Sequence, residues 1–397
     1  MLRKSSAADL ALFGAERLFS TPKSTSNLVQ PEFERFIEYA RTWFAPASQD
    51  SQSAVTLLEA RLARFHETRH CVTFCSGFWA LAITMVALAR PGRREVVMPS
   101  LTYRRMADVV AWTGLLPRFA EVDPDTLAIS GATAAECVGE DTALLLGVHP
   151  IVNCCDVQQL VELAEERHIP LLFDAVESVY ERSGAGKIGT FGMAECFSLH
   201  ASKLLNGFEG GYVTTNDSAL AATLTARRDG HGSCRGVLDA KLNELHAAMA
   251  LAGLDELDAQ VARNRARYER YRFRLEHLSG IRLLSFDESQ PTSYKNIVVE
   301  LLSDWPLPRD LTIELLNADN VLARAYYSPP LHSKPMAYPH VPAELPLTDR
   351  LAECFLLLPC GDFVTLEDID AVVGLLEFIK THAAQISGRS SSRGAKV

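Results

Sequence analysis

Phe197-Ser-Leu-His-Ala-Ser-Lys203-Leu-Leu-Asn-Gly-Phe-Glu-Gly-Gly211 carries an apolar strand into a glycine-punctuated loop and sets a lysine where packing gives it little reason to be. A lysine so placed can form a Schiff base. Upstream, the apolar run Ile169-Pro-Leu-Leu-Phe173 ends on Asp174, followed by the small Ala175. A carboxylate at the carboxyl end of a buried strand points into the crevice where open α/β sheets bind ligands. An imine-forming lysine and a carboxylate for a pyridinium nitrogen are the two groups that pyridoxal phosphate (PLP) chemistry asks of a protein.

Around this stretch, from about residue 55 to 215, short β-rich runs alternate with helical periods, the pattern of a mainly parallel sheet covered by helices. Seven strands are expected: Cys71–Cys75, Glu95–Met98, Arg118–Val122, Ala143–Val148, Ile169–Phe173, Glu195–Leu199 and Tyr212–Thr215. Between the fourth and fifth lies a crossover helix, capped by Asp156, with Val157, Leu160, Val161 and Ala164 at helical spacing. A long helical region from Leu242 to about Leu278 leads into a smaller α+β domain. That domain has a strand Asn296–Leu302, a helix from Arg309 to about Leu316 and a final helix from Leu366 to about His382. The expected division is residues 1–260 for an N-terminal segment and a large domain, 261–385 for the small domain and 386–397 for a disordered tail.

Bulk properties narrow the function classes. With 397 residues, 48% of them hydrophobic, the chain can bury two sizeable cores. A formal net charge of −10 without an extended basic stripe argues against nucleic acid as a partner. The longest apolar run, Phe78 to Ala89, falls short of the roughly 20 residues that span a bilayer, and the N-terminus shows no export signal. Nine cysteines without a Cys-x-x-Cys pair suit reduced thiols in the cytoplasm better than a disulfide framework, and no metal site is expected.

Cys75-Ser-Gly-Phe-Trp-Ala-Leu81 follows a strand and opens a helix, so its backbone amides can hold a phosphate at the positive end of the helix dipole. With Pro99-Ser-Leu-Thr-Tyr103, Asp174 and Lys203, its order along the chain resembles the DegT/DnrJ/EryC1/StrS family of PLP-dependent aminotransferases, best known for acting on nucleotide-linked keto sugars. The similarity runs from about Leu57 to Ile379. Val122-Asp-Pro-Asp-Thr126, Gly147-Val-His149, Gly186-Lys-Ile-Gly-Thr-Phe-Gly192, Leu242-Asn-Glu-Leu-His-Ala-Ala-Met249 and Ala325-Tyr-Tyr-Ser-Pro-Pro-Leu-His332 fit as well. The resemblance implies the type I PLP-transferase fold and a homodimer with active sites at the subunit interface. It implies Lys203 as Schiff-base lysine and proton carrier, Asp174 on the ring nitrogen and Tyr103 stacked on the ring. It further implies Ser198, Gly77 and the amides of Phe78 and Trp79 on the phosphate.

Four positions depart from the family pattern. Phe78 and Trp79 stand where a hydroxyl and a small residue are usual. Glu177 replaces the Gln or His that contacts the ring hydroxyl, and should be protonated, turned away or paired with a substrate amine. Asp239 replaces an interface asparagine that reaches the neighbouring cofactor phosphate, with Lys241 or Arg235 to offset its charge. The Gly-Pro entry loop has no counterpart in Ser48–Ala54. Arg104 and Arg105, after Tyr103, either clamp a substrate carboxylate or phosphate or form a solvated helix start; His332 is a further substrate-side candidate. The expected activity is transfer of an amino group from an amino-acid donor, glutamate or glutamine, to a keto sugar or related small carbonyl compound in secondary-metabolite or glycan-precursor biosynthesis. A PLP enzyme of another reaction type, or a non-catalytic homologue, stays open at this point.

Overall fold

The computed structural model describes residues 4–26, 29–44, 53–184, 186–230 and 239–394. Its centre is a seven-stranded sheet built from β1 (His70–Phe74), β2 (Glu95–Pro99), β3 (Leu116–Ala120), β4 (Thr142–Val148), β5 (Leu171–Asp174), β6 (Ala194–Ser198) and β7 (Gly211–Thr215). The spatial order is β1-β7-β6-β5-β4-β2-β3. Only β7 runs against its neighbours, so the other six strands all bring their carboxyl ends to one edge.

Both faces of the sheet are buried, which is why β4 reads as an unbroken apolar run rather than an alternation. Leu144, Leu146 and Val148 pack into one core with Val96, Met98 and Leu172. Leu145 points the other way, into a core with Val97, Leu171, Phe173 and Phe197. Each such leucine removed from water contributes roughly 2 kcal/mol. The crossover helix Val157–Arg167 forms as its pattern predicts. Asp156 Oδ1 accepts from Gln159 N at 3.0 Å, and His168 ends it in the left-handed conformation at φ 52°.

The second core is organised by an antiparallel sheet of β8 (Ile281–Leu283), β9 (Ile297–Leu301), β10 (Arg324–Ala325) and β11 (Phe355–Leu358), in the order β8-β9-β11-β10. Helix Leu366–Thr381 covers it, with Ile369, Val372, Val373, Leu376 and Ile379 all fully buried.

Three features differ from the sequence-based division. The long helical region is two helices, Glu244–Asp255 and Leu257–Leu275, parted at Glu256. The first packs on helices Phe33–Phe44 and Ala54–Phe65 with Ala247–Ala252 buried in the large-domain core, whereas the second turns an apolar stripe with Tyr268, Tyr271 and Leu275 to the small core. The break lets one continuous polypeptide serve both surfaces. The N-terminal segment, expected with the large domain, begins on the small one: Ala7 and Leu10 enter its core, and Lys23–Ser24 pairs in parallel with Val321–Leu322. Buried Asp319 fixes that segment, accepting from Leu18 N at 2.9 Å and pairing with Lys4 at 2.9 Å. Finally, the expected tail is helical over Ala383–Gly394, because Ala383 and Ile386 find places in the same core.

Candidate active site

The carboxyl edge of the large sheet gathers the predicted chemistry. Asp174 is the last residue of β5 and only 5% exposed. Its Oδ1 accepts from Val176 N at 3.1 Å. Burial pushes its carboxyl up to about 6, against the opposing pull of Val176 N–H and the Lys203 ammonium. Lys203 follows β6 in a tight turn, its amide donating to His200 O at 2.8 Å. Its Nζ lies 2.5 Å from Glu177 Oε1.

Glu177 is paired with cations of its own chain. Its Oε2 accepts from Lys295 Nζ at 2.6 Å and from Asn296 Nδ2 at 3.3 Å, so one carboxylate bridges two lysines of its own chain. Burial alone would push this carboxyl up; the charges of Lys203 and Lys295 outweigh it and hold the group well below the usual carboxylate range. Glu177 is therefore ionised and turned inward.

Next to this triad, the glycines of the predicted phosphate loop are tightly packed. A Cβ on Gly77 would stand 3.1 Å from Ser198 Cβ, and one on Gly211 would meet Gly77 N and Cα at 2.6 Å. Register explains the closeness, since Gly211 pairs with both Phe74 and Ser198. Helix Gly77–Leu88 starts here, capped by Ser76 Oγ, which accepts from Trp79 N at 3.3 Å. The helix start and the Ser198 hydroxyl form a donor set suited to a phosphate dianion.

The family model of the DegT/DnrJ/EryC1/StrS aminotransferases matches residues 34–377. The chain belongs to this family. Among its relatives, GDP-perosamine synthase of Vibrio cholerae is 26% identical over 76% of this chain and 84% of its own length. The erythromycin biosynthesis sensory transduction protein EryC1 of Saccharopolyspora erythraea is 29% identical over 80% of this chain and 88% of its own. The solved structure of DesI in the presence of its TDP-sugar product shares 32% identity. It covers 97% of this chain and 100% of its own, with a TM-score of 0.89. This family member thus has the type I fold and is a PLP-dependent aminotransferase.

The residues at this sheet edge fit that cofactor. Asp174 is a buried carboxylate for a pyridinium nitrogen, Lys203 is an amine for the aldehyde carbon, and the close packing of Gly77 against Gly211 and Ser198 brings a helix start and a hydroxyl together for a phosphate. Gly211→Ala tests the cradle. Backbone at 2.6 Å cannot yield cheaply, so the variant is expected to bind PLP at least about tenfold more weakly and to lose about 1–3 kcal/mol of stability. Equilibrium titration with PLP and denaturant unfolding measure the two effects.

The remaining candidates divide. Phe78 and Trp79, which stand where a hydroxyl and a small residue are usual, meet each other edge to face at 5.5 Å, and Trp79 meets Trp112 at 4.7 Å. Tyr103 lies beyond the end of β2 with half its surface exposed, close enough to Tyr327 to perturb its phenol. Arg104 and Arg105 are exposed, and Arg105 Nε lies 3.5 Å from Asp108 one helical turn on. The His332 ring is engaged on both sides, Nδ1 with Ser100 Oγ at 2.7 Å and Nε2 with Asp349 at 3.3 Å. Asp239 is exposed beside the phosphate loop, where Ala240 O accepts from Cys75 N at 2.8 Å; Lys241 is exposed nearby. Arg235 and most of Ser48–Ala54 lie outside the described residues. Among the described residues no helix is long and apolar enough to cross a membrane, and no group of His, Cys, Asp and Glu could hold a metal ion.

Sequence reasoning missed Lys295 and Asn296. They directly precede β9, a position where a lysine ordinarily reads as a solvated strand end. Glu177 itself was the available signal, since a buried carboxylate needs a cation.

Proposed function

We propose that this aminotransferase takes an amino group from glutamate or glutamine and passes it to a keto sugar carried on a nucleotide, or to a closely related small carbonyl compound. The amino group is held by the cofactor between two half-reactions. The observation that carries the reading is the convergence of Lys203, Asp174, Ser198 and Gly77 at one sheet edge. The DesI structure, solved with a TDP-sugar product, supports the nucleotide-sugar class. The family resemblance also supports a homodimer with shared sites, working in the cytoplasm.

Each residue's task follows from its surroundings. Bound PLP supplies an electron sink for the carbon whose proton is moved. Asp174 would face the ring nitrogen and keep its proton in place. Lys203 would hold the cofactor and, when free, would carry a proton to and from the substrate carbon. Ser198 Oγ and the helix start would receive the phosphate and so orient the ring for the substrate.

The test is spectroscopic. Purified protein mixed with PLP and reduced with borohydride should give a single modified peptide, with the mass increment on Lys203. Glutamate or glutamine added before reduction should convert the bound cofactor to its amine form and abolish the adduct. An adduct elsewhere would overturn the assignment of Lys203. Failure of every common amino acid to make the conversion would overturn the aminotransferase half-reaction.

A further inference from the structure

We infer that Lys295, contributed by the second domain, is a positioning residue that acts through Glu177 on the reactivity of Lys203. This rests on the assignment of Lys203 as the cofactor-binding lysine and extends it to a residue outside that assignment. The geometry is a three-membered line of charge: Lys203 Nζ at 2.5 Å from one oxygen of Glu177, Lys295 Nζ at 2.6 Å from the other. Lys295 is 4% exposed, so it has no solvent in which to find another counter-charge. Asn296 Nδ2 adds a neutral donor to the same oxygen at 3.3 Å, which fixes the carboxylate's orientation.

The consequence is competition. One carboxylate serves two ammonium groups, and each reduces the share of negative charge that the other receives. Glu177 restrains Lys203 as half of an ion pair, unavailable to attack an electrophilic carbon. Lys295 weakens that restraint by drawing on the same carboxylate. The other groups around the triad are Asp174 on β5, Tyr326 and Tyr327 beyond β10, and Cys360 beyond β11; His149 stands behind Asp174. Burial raises both phenols and pushes the Cys360 thiol up to about 11, so these three are neutral at neutral pH. Asp174 is the only other group among them that brings negative charge, and it lies on the ring-nitrogen side.

The same five-residue stretch does a second job. Ser293 N and Oγ donate to buried Glu181 at 3.1 and 2.6 Å, and Thr292 Oγ1 lies at 3.3 Å from the same oxygen. Residues 292–296 therefore clamp the loop that carries Glu177 at two points, and Lys295 cannot retreat from the carboxylate without disturbing both.

The experiment measures acetylation of Lys203 in the cofactor-free full-length chain by N-hydroxysuccinimide acetate, a neutral reagent. An amide bond forms on Nζ, N-hydroxysuccinimide leaves and the amine's proton passes to water. Exposed Lys241 in the same digest is the internal reference. Glu177→Gln should raise the relative rate at Lys203 by roughly tenfold, and Lys295→Met should lower it by a similar factor. Lys295→Arg, which keeps the charge, should restore the wild-type rate. The double variant Glu177→Gln/Lys295→Met removes the buried Lys295 charge together with its counter-charge and should label at close to the Glu177→Gln rate. Opposite signs for the two single variants are the signature, because a purely structural pair would shift both the same way. Equal signs, or no change with Lys295→Met, overturn the inference. The assay contains no PLP, so failure of the cofactor assignment shows up separately, as a missing borohydride adduct.

Discussion

Lys203→Ala is expected to eliminate turnover, with a loss of at least ~10⁴-fold, because one side chain serves both as the attachment point and as the proton carrier. The fold should survive. Lys203 is a partly exposed loop residue whose only side-chain bond among the described residues is to Glu177, and Glu177 keeps Lys295 and Asn296 when that bond is lost. Lys295 is close but held on the far oxygen of the carboxylate, so it is not placed to substitute. Steady-state assay beside circular dichroism makes the check. A folded variant that retains activity within tenfold of wild type would remove Lys203 from the mechanism.

Asp174→Asn should move activity and stability in opposite directions. A neutral amide cannot hold the proton on a ring nitrogen, and loss of such a preorganised charge is worth about 10²–10³-fold in turnover. The stability effect comes from burial. With its folded-state carboxyl at about 6 against 3.8 unfolded, Asp174 contributes stability that is full below about pH 4 and lost as pH rises through 6. At pH 7.5 the ionised, cofactor-free site therefore carries a burden of about 2–3 kcal/mol that asparagine lacks. Denaturant midpoints of the cofactor-free proteins should favour the variant at pH 7.5, with the gap closing towards pH 4. A variant less stable than wild type at pH 7.5 would contradict this account of Asp174.

The large sheet was legible because its chemistry is local. Leu144, Leu145 and Leu146 announce a strand buried on both faces, Asp156 announces a helix start, and Asp174 and Lys203 sit where strands end. What was hidden depends on partners distant in sequence. Nothing near Glu256 foretells a break, because its cause is the change of surface from the large sheet to the small core. Nothing in residues 4–24 names Asp319 as their anchor, some 300 positions away. Lys295 was invisible for the same reason: its burial is decided by a carboxylate 118 residues earlier.

The bridge across Glu177 also ties two stretches of the gene together. A carboxylate at 177 without a lysine at 295 loses a buried counter-charge, and a lysine at 295 opposite a neutral 177 has none. The second change leaves a buried ammonium stranded away from water, whereas the first leaves Glu177 paired with Lys203. A chimera that grafts the small domain of another family member onto this large domain keeps the bridge only if the graft supplies a lysine at 295.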